Sequence, residues 1–230
     1  MKITREYMIQ LMGRYKSYNM MPFVVEVCGT PNSGKTSAIH AFEKILRRSG
    51  IKYKVIYEVA TRCKIKKKLS PDFDLWTLNE TIKQLVEAYS EEYDIIICER
   101  GLLDAICWYN LYLQDGLMTE KEYKILLNYI LLDRFISHIK CCYVMKCSVE
   151  TSIKRENLFG MLDRTGTIIN NIVLGKYNSA LENACILYSK YFEKTIELDT
   201  SDLPQTNINK TFVSSIIDCI ENLSAEKKQQ

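Results

Sequence analysis

Residues 23–42 read FVVEVCGTPNSGKTSAIHAF. An apolar, partly β-branched run meets a loop of small residues, and a segment with helical spacing follows. Consecutive apolar positions are what a strand buried on both faces requires. Within the stretch, Gly29-Thr30-Pro31-Asn32-Ser33-Gly34-Lys35-Thr36 fits G-x-x-x-x-G-K-[ST] at every fixed position. Each residue type has a physical reason. Backbone N–H groups from Gly29 through Asn32, Ser33 and Gly34 to Ser37 can converge on phosphate oxygens at a helix N-terminus. Glycines at 29 and 34 permit torsions and close approaches that a Cβ would block. The Lys35 ammonium neutralises β- and γ-phosphate charge, and the Thr36 hydroxyl is a hard oxygen ligand suited to Mg2+.

The octapeptide resembles the Walker A motif of P-loop NTPases. That resemblance implies ATP or GTP as the bound triphosphate, with Mg2+ as cofactor. It leaves the reaction open, because GTPases, motors and kinases all carry the motif.

Outward from the loop, residues 23–28, 53–59, 94–98, 141–146 and 195–198 form apolar segments of strand length. Helical spacing separates them. Ala38, Ile39, Phe42, Ile45 and Leu46 share a face, and Arg47, Arg48 and Gly50 close that helix. Leu75, Leu78, Ile82, Leu85, Val86 and Tyr89 make a second stripe. Thr119 to Glu122 spells a capping box that opens a helix expected to run to about Ser137. Strands alternating with helices predict an α/β chain, a three-layer P-loop NTPase fold with a five-stranded parallel sheet flanked by helices. Residues 1–22 read as an amphipathic helical arm, 23–223 as the kinase-like domain and 224–230 as a frayed tail.

Composition bounds the rest. The 230 residues are 47% hydrophobic, enough for one sizeable core. Nine cysteines are scattered through apolar runs without a Cys-x-x-Cys pair, which points to reduced, buried thiols and a cytoplasmic protein. No stretch approaches the roughly 18 apolar residues of a membrane helix, and the first 21 residues mix charge too evenly for a signal peptide. A net charge of +3 is too mild to argue for a nucleic-acid partner. A homodimer is compatible with all of this.

A second acidic site follows the third apolar run, in YDIIICERGLLDAICWYN at 93–110. Glu99 and Arg100 emerge where open α/β sheets place their ligands. The acid can help hold Mg2+, and the arginine can clamp an acceptor. Here the chain resembles the thymidylate kinase and deoxynucleoside kinase branch of the P-loop kinases, with Glu99-Arg100 as the acid–arginine pair. Asp104 stands near that branch's serine, and Trp108 and Tyr109 lie in its aromatic acceptor helix. The resemblance implies a nucleoside or nucleotide as acceptor. It also implies Glu58, with Val59 in place of a proline, as the acid that orients or deprotonates the acceptor hydroxyl. Lys154, Arg155 and Arg164 fall where the branch has a lid, implying that Arg155 and Arg164 close over the transferring phosphoryl group. Thr200 and Ser201 match the turn that borders the adenine.

Departures narrow the acceptor. Tyr57 and Tyr109 stand where thymidylate kinases carry an arginine and a base-reading glutamine, so thymine recognition is not implied. Residues 61–68, TRCKIKKK, hold five basic side chains beside Glu58. They read as a solvated face, as a clamp for a phosphorylated acceptor, or as a contact for a polynucleotide end. Phe73 and Trp76 are candidates to stack on a base, although Trp76 also fits a core position. A nucleotide-dependent switch that binds a protein partner and phosphorylates nothing is a further alternative.

Overall fold

Three strands carry almost nothing but apolar side chains, and the sheet is organised around them. The computed structural model describes residues 3–19, 21–159 and 168–226. Strands β1 (Phe23–Gly29), β2 (Tyr53–Ile56), β3 (Ile95–Glu99), β4 (Ile139–Lys146) and β5 (Thr195–Asp199) form one sheet in the order β2-β3-β1-β4-β5. Every pairing is parallel. β1 and β3 are buried along their whole length, whereas the edge strands β2 and β5 are mostly half-buried. A strand with neighbours and helices on every side takes mostly apolar side chains, and a polar one there needs partners; an edge strand can send polar groups to water. The three-layer α/β fold expected from the sequence is the fold observed.

Helices α1 (Arg5–Tyr18), α2 (Lys35–Ser49) and α9 (Gln205–Glu226) cover one face of the sheet. The other carries α3 (Pro71–Tyr89), α4 (Leu102–Gln114), α5 (Glu120–Ile130), α6 (Asp133–Ile136) and α8 (Asn171–Tyr188). α7 (Val149–Phe159) follows β4. β1 feeds α2 on one face, while its neighbour β3 feeds α4 on the other. That divergence opens a crevice between the carboxyl ends of β1 and β3, where an open α/β sheet places its ligands.

Several local expectations shift. α1 is capped by Thr4, whose Oγ1 accepts from the Tyr7 amide at 3.2 Å. Its apolar face, Met8, Leu11, Met12 and Tyr15, is buried within the core shared with α2 and α9. The capping box at Thr119 and Glu122 is present, but the helix it opens stops at Ile130 and restarts at Asp133. Ile130, Phe135 and Ile136 are all buried. Separations of five and six residues are roughly 140° and 240° around a continuous helix, so the break lets all three reach the core. On α3, Leu75 and Val86 are exposed, and Phe73, Leu78, Ile82, Leu85 and Ala88 do the packing. β2 ends three residues before the expected boundary, which turns Glu58 out of the ladder. Beyond 223, α9 continues through Ser224, which is buried and donates to the Ile220 carbonyl at 2.7 Å. None of the nine cysteines is in a disulfide, and eight are buried.

Candidate active site

The loop between β1 and α2 is shaped by left-handed backbone. Gly29 (φ 128°), Asn32 (φ 58°) and Gly34 (φ 93°) all have positive φ. A Cβ on Gly29 would lie 2.0 Å from the Met145 carbonyl oxygen of β4, so only glycine fits there. The first turn of α2 holds no acidic side chain, and its positive dipole end is left for an anion. Lys35 is buried and donates to the carbonyls of Gly29 (3.1 Å) and Thr30 (2.7 Å). Burial, reinforced by the Arg100 charge, lowers its ammonium pKa to about 8. An incoming polyanion would reverse that shift.

Asn32, Gly34, Lys35, Thr36 and Ser37 line a cavity of about 580 Å3, within the range of small-molecule sites. Gly29 and Ser33 do not line it; they are buried behind the loop and fix its path. The Asn32 side chain is turned away too, its Nδ2 donating to Glu156 (2.9 Å) and to the Ser152 carbonyl (3.2 Å) of α7.

Across the crevice, the Thr36 hydroxyl donates to Glu99 Oε1 at 2.5 Å. Hydroxyl and carboxylate together are a hard-oxygen donor pair of the kind Mg2+ takes, so the residues present fit that ion. Next to Glu99, Arg100 holds φ 59°, a conformation that costs a non-glycine residue about 1–3 kcal/mol. Its guanidinium lies 3.0 Å from Glu58 through Nε and 3.0 Å from Asp104 through a terminal nitrogen. Asp104 also accepts from Tyr177 (2.6 Å) and Trp108 (3.1 Å). Burial alone would push the Glu58 carboxyl up, but Arg100 and then Lys35 outweigh it and hold the acid ionised. Burial likewise disfavours the Arg100 charge, and Glu58 and Asp104 overcome it.

Beneath this network lies a residue that the motifs do not announce. Glu26, at the centre of β1, is fully buried and points to the start of α4. Its carboxylate accepts from the amides of Leu102 (2.9 Å), Leu103 (2.9 Å) and Asp104 (3.3 Å). It caps a helix that has no capping side chain of its own, and Gly101 gives it room, since a Cβ there would meet Glu26 Cδ at 2.7 Å. A single acid in an otherwise apolar strand was the available signal. Asp74, Thr77 and Thr81 of α3 also line the cavity. In the sequence they pass for ordinary residues of an amphipathic helix.

Among the expected acceptor and lid residues, Glu58, Glu99, Arg100, Asp104, Phe73 and Trp108 meet at the cavity. Tyr109 does not: it is buried in the core facing away. Tyr57 donates outward to Glu43, and Trp76 borders a shallow groove elsewhere with Ile65 and Lys83. Of the five basic residues at 61–68, Lys68 alone lines the cavity, and Arg62 lies 3.5 Å from Glu80. Arg155 reaches the cavity rim but is engaged by protein. It donates to the Asn32 carbonyl (3.1 Å), the Thr200 hydroxyl (3.2 Å) and the carbonyls of Thr200 (2.6 Å) and Leu203 (3.2 Å). That brace joins the loop to the turn after β5. Thr200 is therefore a partner of Arg155 rather than part of the lining, and Ser201 donates to Asp199 at 2.6 Å. Arg164, with Gly160 and Gly166, lies outside the described residues.

No family model matches the chain, and no curated protein matches it in sequence. Solved structures do match in shape. Deoxyadenosine kinase from M. mycoides with dCMP and dCDP superimposes with a TM-score of 0.60 and 17% identity, over 85% of this chain and 100% of that one. The same enzyme with dATP gives 0.61 and 16%, over 85% and 98%, and with dCTP 0.62 and 15%, over 87% and 100%. At these identities the likeness is one of fold.

Proposed function

We propose that the chain catalyses ATP- and Mg2+-dependent phosphoryl transfer to the hydroxyl of a nucleoside. One observation carries this: the phosphate-type loop and the Glu58–Arg100–Asp104 network line the same cavity, so donor and acceptor would share one site. The likeness in fold to a deoxyadenosine kinase that binds dATP and dCTP supports it.

Lys35 and the loop amides hold the β- and γ-phosphates. Thr36 and Glu99 would hold Mg2+, which supplies charge neutralisation between the phosphates. Glu58, kept ionised by Arg100, accepts a hydrogen bond from the acceptor hydroxyl and aims its oxygen at the γ-phosphorus. A loose transition state needs the proton late, so orientation matters more than basicity. Arg155 keeps the loop seated against the β5–α9 turn. An uncharged acceptor suits the far end of the cavity better than a phosphorylated one. Glu58, Asp74 and Asp104 there face Arg100 and Lys68, and Arg100 is already shared between two carboxylates.

The test is transfer of labelled γ-phosphate from ATP, with Mg2+, to a panel of nucleosides and nucleoside monophosphates. A phosphorylated nucleoside is expected, with turnover about 10²–10³-fold lower in Lys35→Ala, the scale for removing one charge-stabilising donor. ATP hydrolysis that no acceptor accelerates, with no phosphorylated product, would replace the kinase with a nucleotide-dependent switch.

A further inference from the structure

One carboxylate lies behind the cavity, out of reach of either substrate. Glu26 is fully buried at the middle of β1, between Val24 and Cys28 on the side of the sheet that α4 covers. Its strand neighbours are Cys98 of β3 and Cys142 of β4. A charge in such a layer is costly unless donors meet it. The donors are three backbone amides of one turn: Oε2 accepts from Leu102 at 2.9 Å, and Oε1 from Leu103 at 2.9 Å and Asp104 at 3.3 Å.

A helix needs no such arrangement merely to be capped. A serine, threonine, asparagine or aspartate at position 101 would satisfy an amide locally. The chain has glycine there instead, and the cap reaches across from the sheet interior. What the distant acid adds is a fixed reference. β1 runs on from Glu26 into the loop, where the Gly29 carbonyl accepts from Lys35 Nζ. The Arg100 amide donates to the Val27 carbonyl of the same strand at 3.0 Å. Residues 100–104 therefore hang from the strand that sets the loop. Asp104 passes that reference on. It accepts from the Arg100 guanidinium (3.0 Å), Trp108 (3.1 Å) and Tyr177 (2.6 Å), and the same guanidinium lies 3.0 Å from Glu58.

We propose that Glu26 is a positioning residue that holds the acceptor side of the crevice in register with the donor side. It acts through the first turn of α4, which carries Asp104, and Asp104 aligns Arg100 beside Glu58. The consequence for turnover rests on the kinase reading above; the alignment itself does not. Reacting groups must be held to within about 0.5 Å, and a misplacement of about 1 Å costs on the order of 100-fold in rate. Glutamine at 26 keeps the shape but offers one acceptor oxygen to three amides. Its NH2 is then set against an N–H, and the turn moves away from the strand.

The test measures binding, turnover and local structure in Glu26→Gln. It is run at pH 8, above the value of about 7 to which burial raises the wild-type carboxyl, with urea denaturation confirming a folded variant. Calorimetry with ATP and Mg2+ should give wild-type affinity, because the loop keeps its own contacts. Transfer of γ-phosphate to nucleosides should show kcat lowered about 10- to 100-fold. Of the two tryptophans, Trp108 donates to Asp104 and Trp76 borders a groove elsewhere. Their indole N–H resonances therefore report the turn and a reference, and the first should shift while the second stays. Glu26→Asp keeps the charge but is one methylene short. The same three results are expected of it, and it serves if the glutamine variant fails to fold.

A wild-type kcat in a folded variant overturns the proposal. So does a Trp108 resonance that stays in place or moves together with that of Trp76. ATP affinity that falls in step with turnover would also overturn it, by making Glu26 a support of the loop. If the wild-type protein transfers phosphate to no nucleoside, the kinase reading falls and the Trp108 resonance alone decides the role of Glu26.

Discussion

Thr36, opening the helix on one face of the sheet, donates its hydroxyl hydrogen to Glu99 Oε1, ending the neighbouring strand, over 2.5 Å. The bond spans the crevice and joins two elements that leave the sheet on opposite faces. Glu99→Gln keeps the shape but lowers the charge of the donor pair. We expect the Mg2+ concentration for half-maximal rate to rise about 10- to 100-fold, the scale seen when a metal site loses a supporting group. A Mg2+ titration of turnover checks this; an unchanged midpoint would take Glu99 out of the metal site.

Lys35 should report its ligand through protons. Its pKa of about 8 in the free protein lies below the ordinary lysine value because the group is buried. A bound triphosphate stabilises the ammonium and raises that value. Binding of ATP at pH 8.5 is then accompanied by uptake of most of one proton, and affinity falls as pH rises above 8. Calorimetry in two buffers of different ionisation enthalpy measures the uptake, which should vanish in Lys35→Met and be absent in the wild-type protein at pH 6.5.

Removing Arg100 leaves Glu58 and Asp104 without their shared cation. Arg100→Met is expected to destabilise the protein by about 3 kcal/mol, the cost of breaking the largely buried Arg100–Asp104 pair from one side. Arg100→Lys should recover less than half, because one ammonium cannot lie beside Glu58 and donate to Asp104 as the planar guanidinium does. Urea denaturation of the three proteins decides it.

The two loop glycines should differ. Alanine at 29 drives a Cβ into the backbone of β4, at 2.0 Å from the Met145 oxygen. At 34 it meets only the tip of Gln205, at 2.7 Å. Gly34→Ala is expected to cost about 1–2 kcal/mol, the strain of left-handed backbone. Gly29→Ala should cost at least about 3 kcal/mol, because strand must move from strand. Thermal and denaturant unfolding rank them; an equal cost would mean the β1–β4 contact yields easily.

Glu26 should make stability depend on pH. Burial raises its carboxyl to about 7 from an ordinary value of 4.5, and the three amides only partly offset this. A carboxyl raised on folding contributes stability that is complete below pH 4.5 and is lost as pH rises through 7. The loss is on the order of 3 kcal/mol. Glu26→Gln removes that part of the slope, so the difference between wild type and variant, measured by urea denaturation at pH 5 and pH 8, should change with pH. A constant difference would mean that Glu26 does not titrate in this range.

The parts written in short-range chemistry are legible in the sequence alone. Unbroken apolar runs require burial on both faces, and those at 23–28, 94–98 and 141–146 form the three central strands. Fixed spacing places Gly29, Gly34, Lys35 and Thr36 in one turn, and the Thr119–Glu122 box opens its helix as expected. Physically, these are properties of a few successive residues, set by periodicity, capping and backbone freedom. Tertiary structure alone decides which distant groups meet. Asp74 and Tyr112, Glu26 and the start of α4, and Arg155 and the Thr200 turn are brought together by the packing of separate elements. Tyr109 is turned into the core and Trp108 into the cavity by the rotation of α4 against its neighbours. Such pairings depend on strand order and on the face each helix takes, which no local pattern encodes.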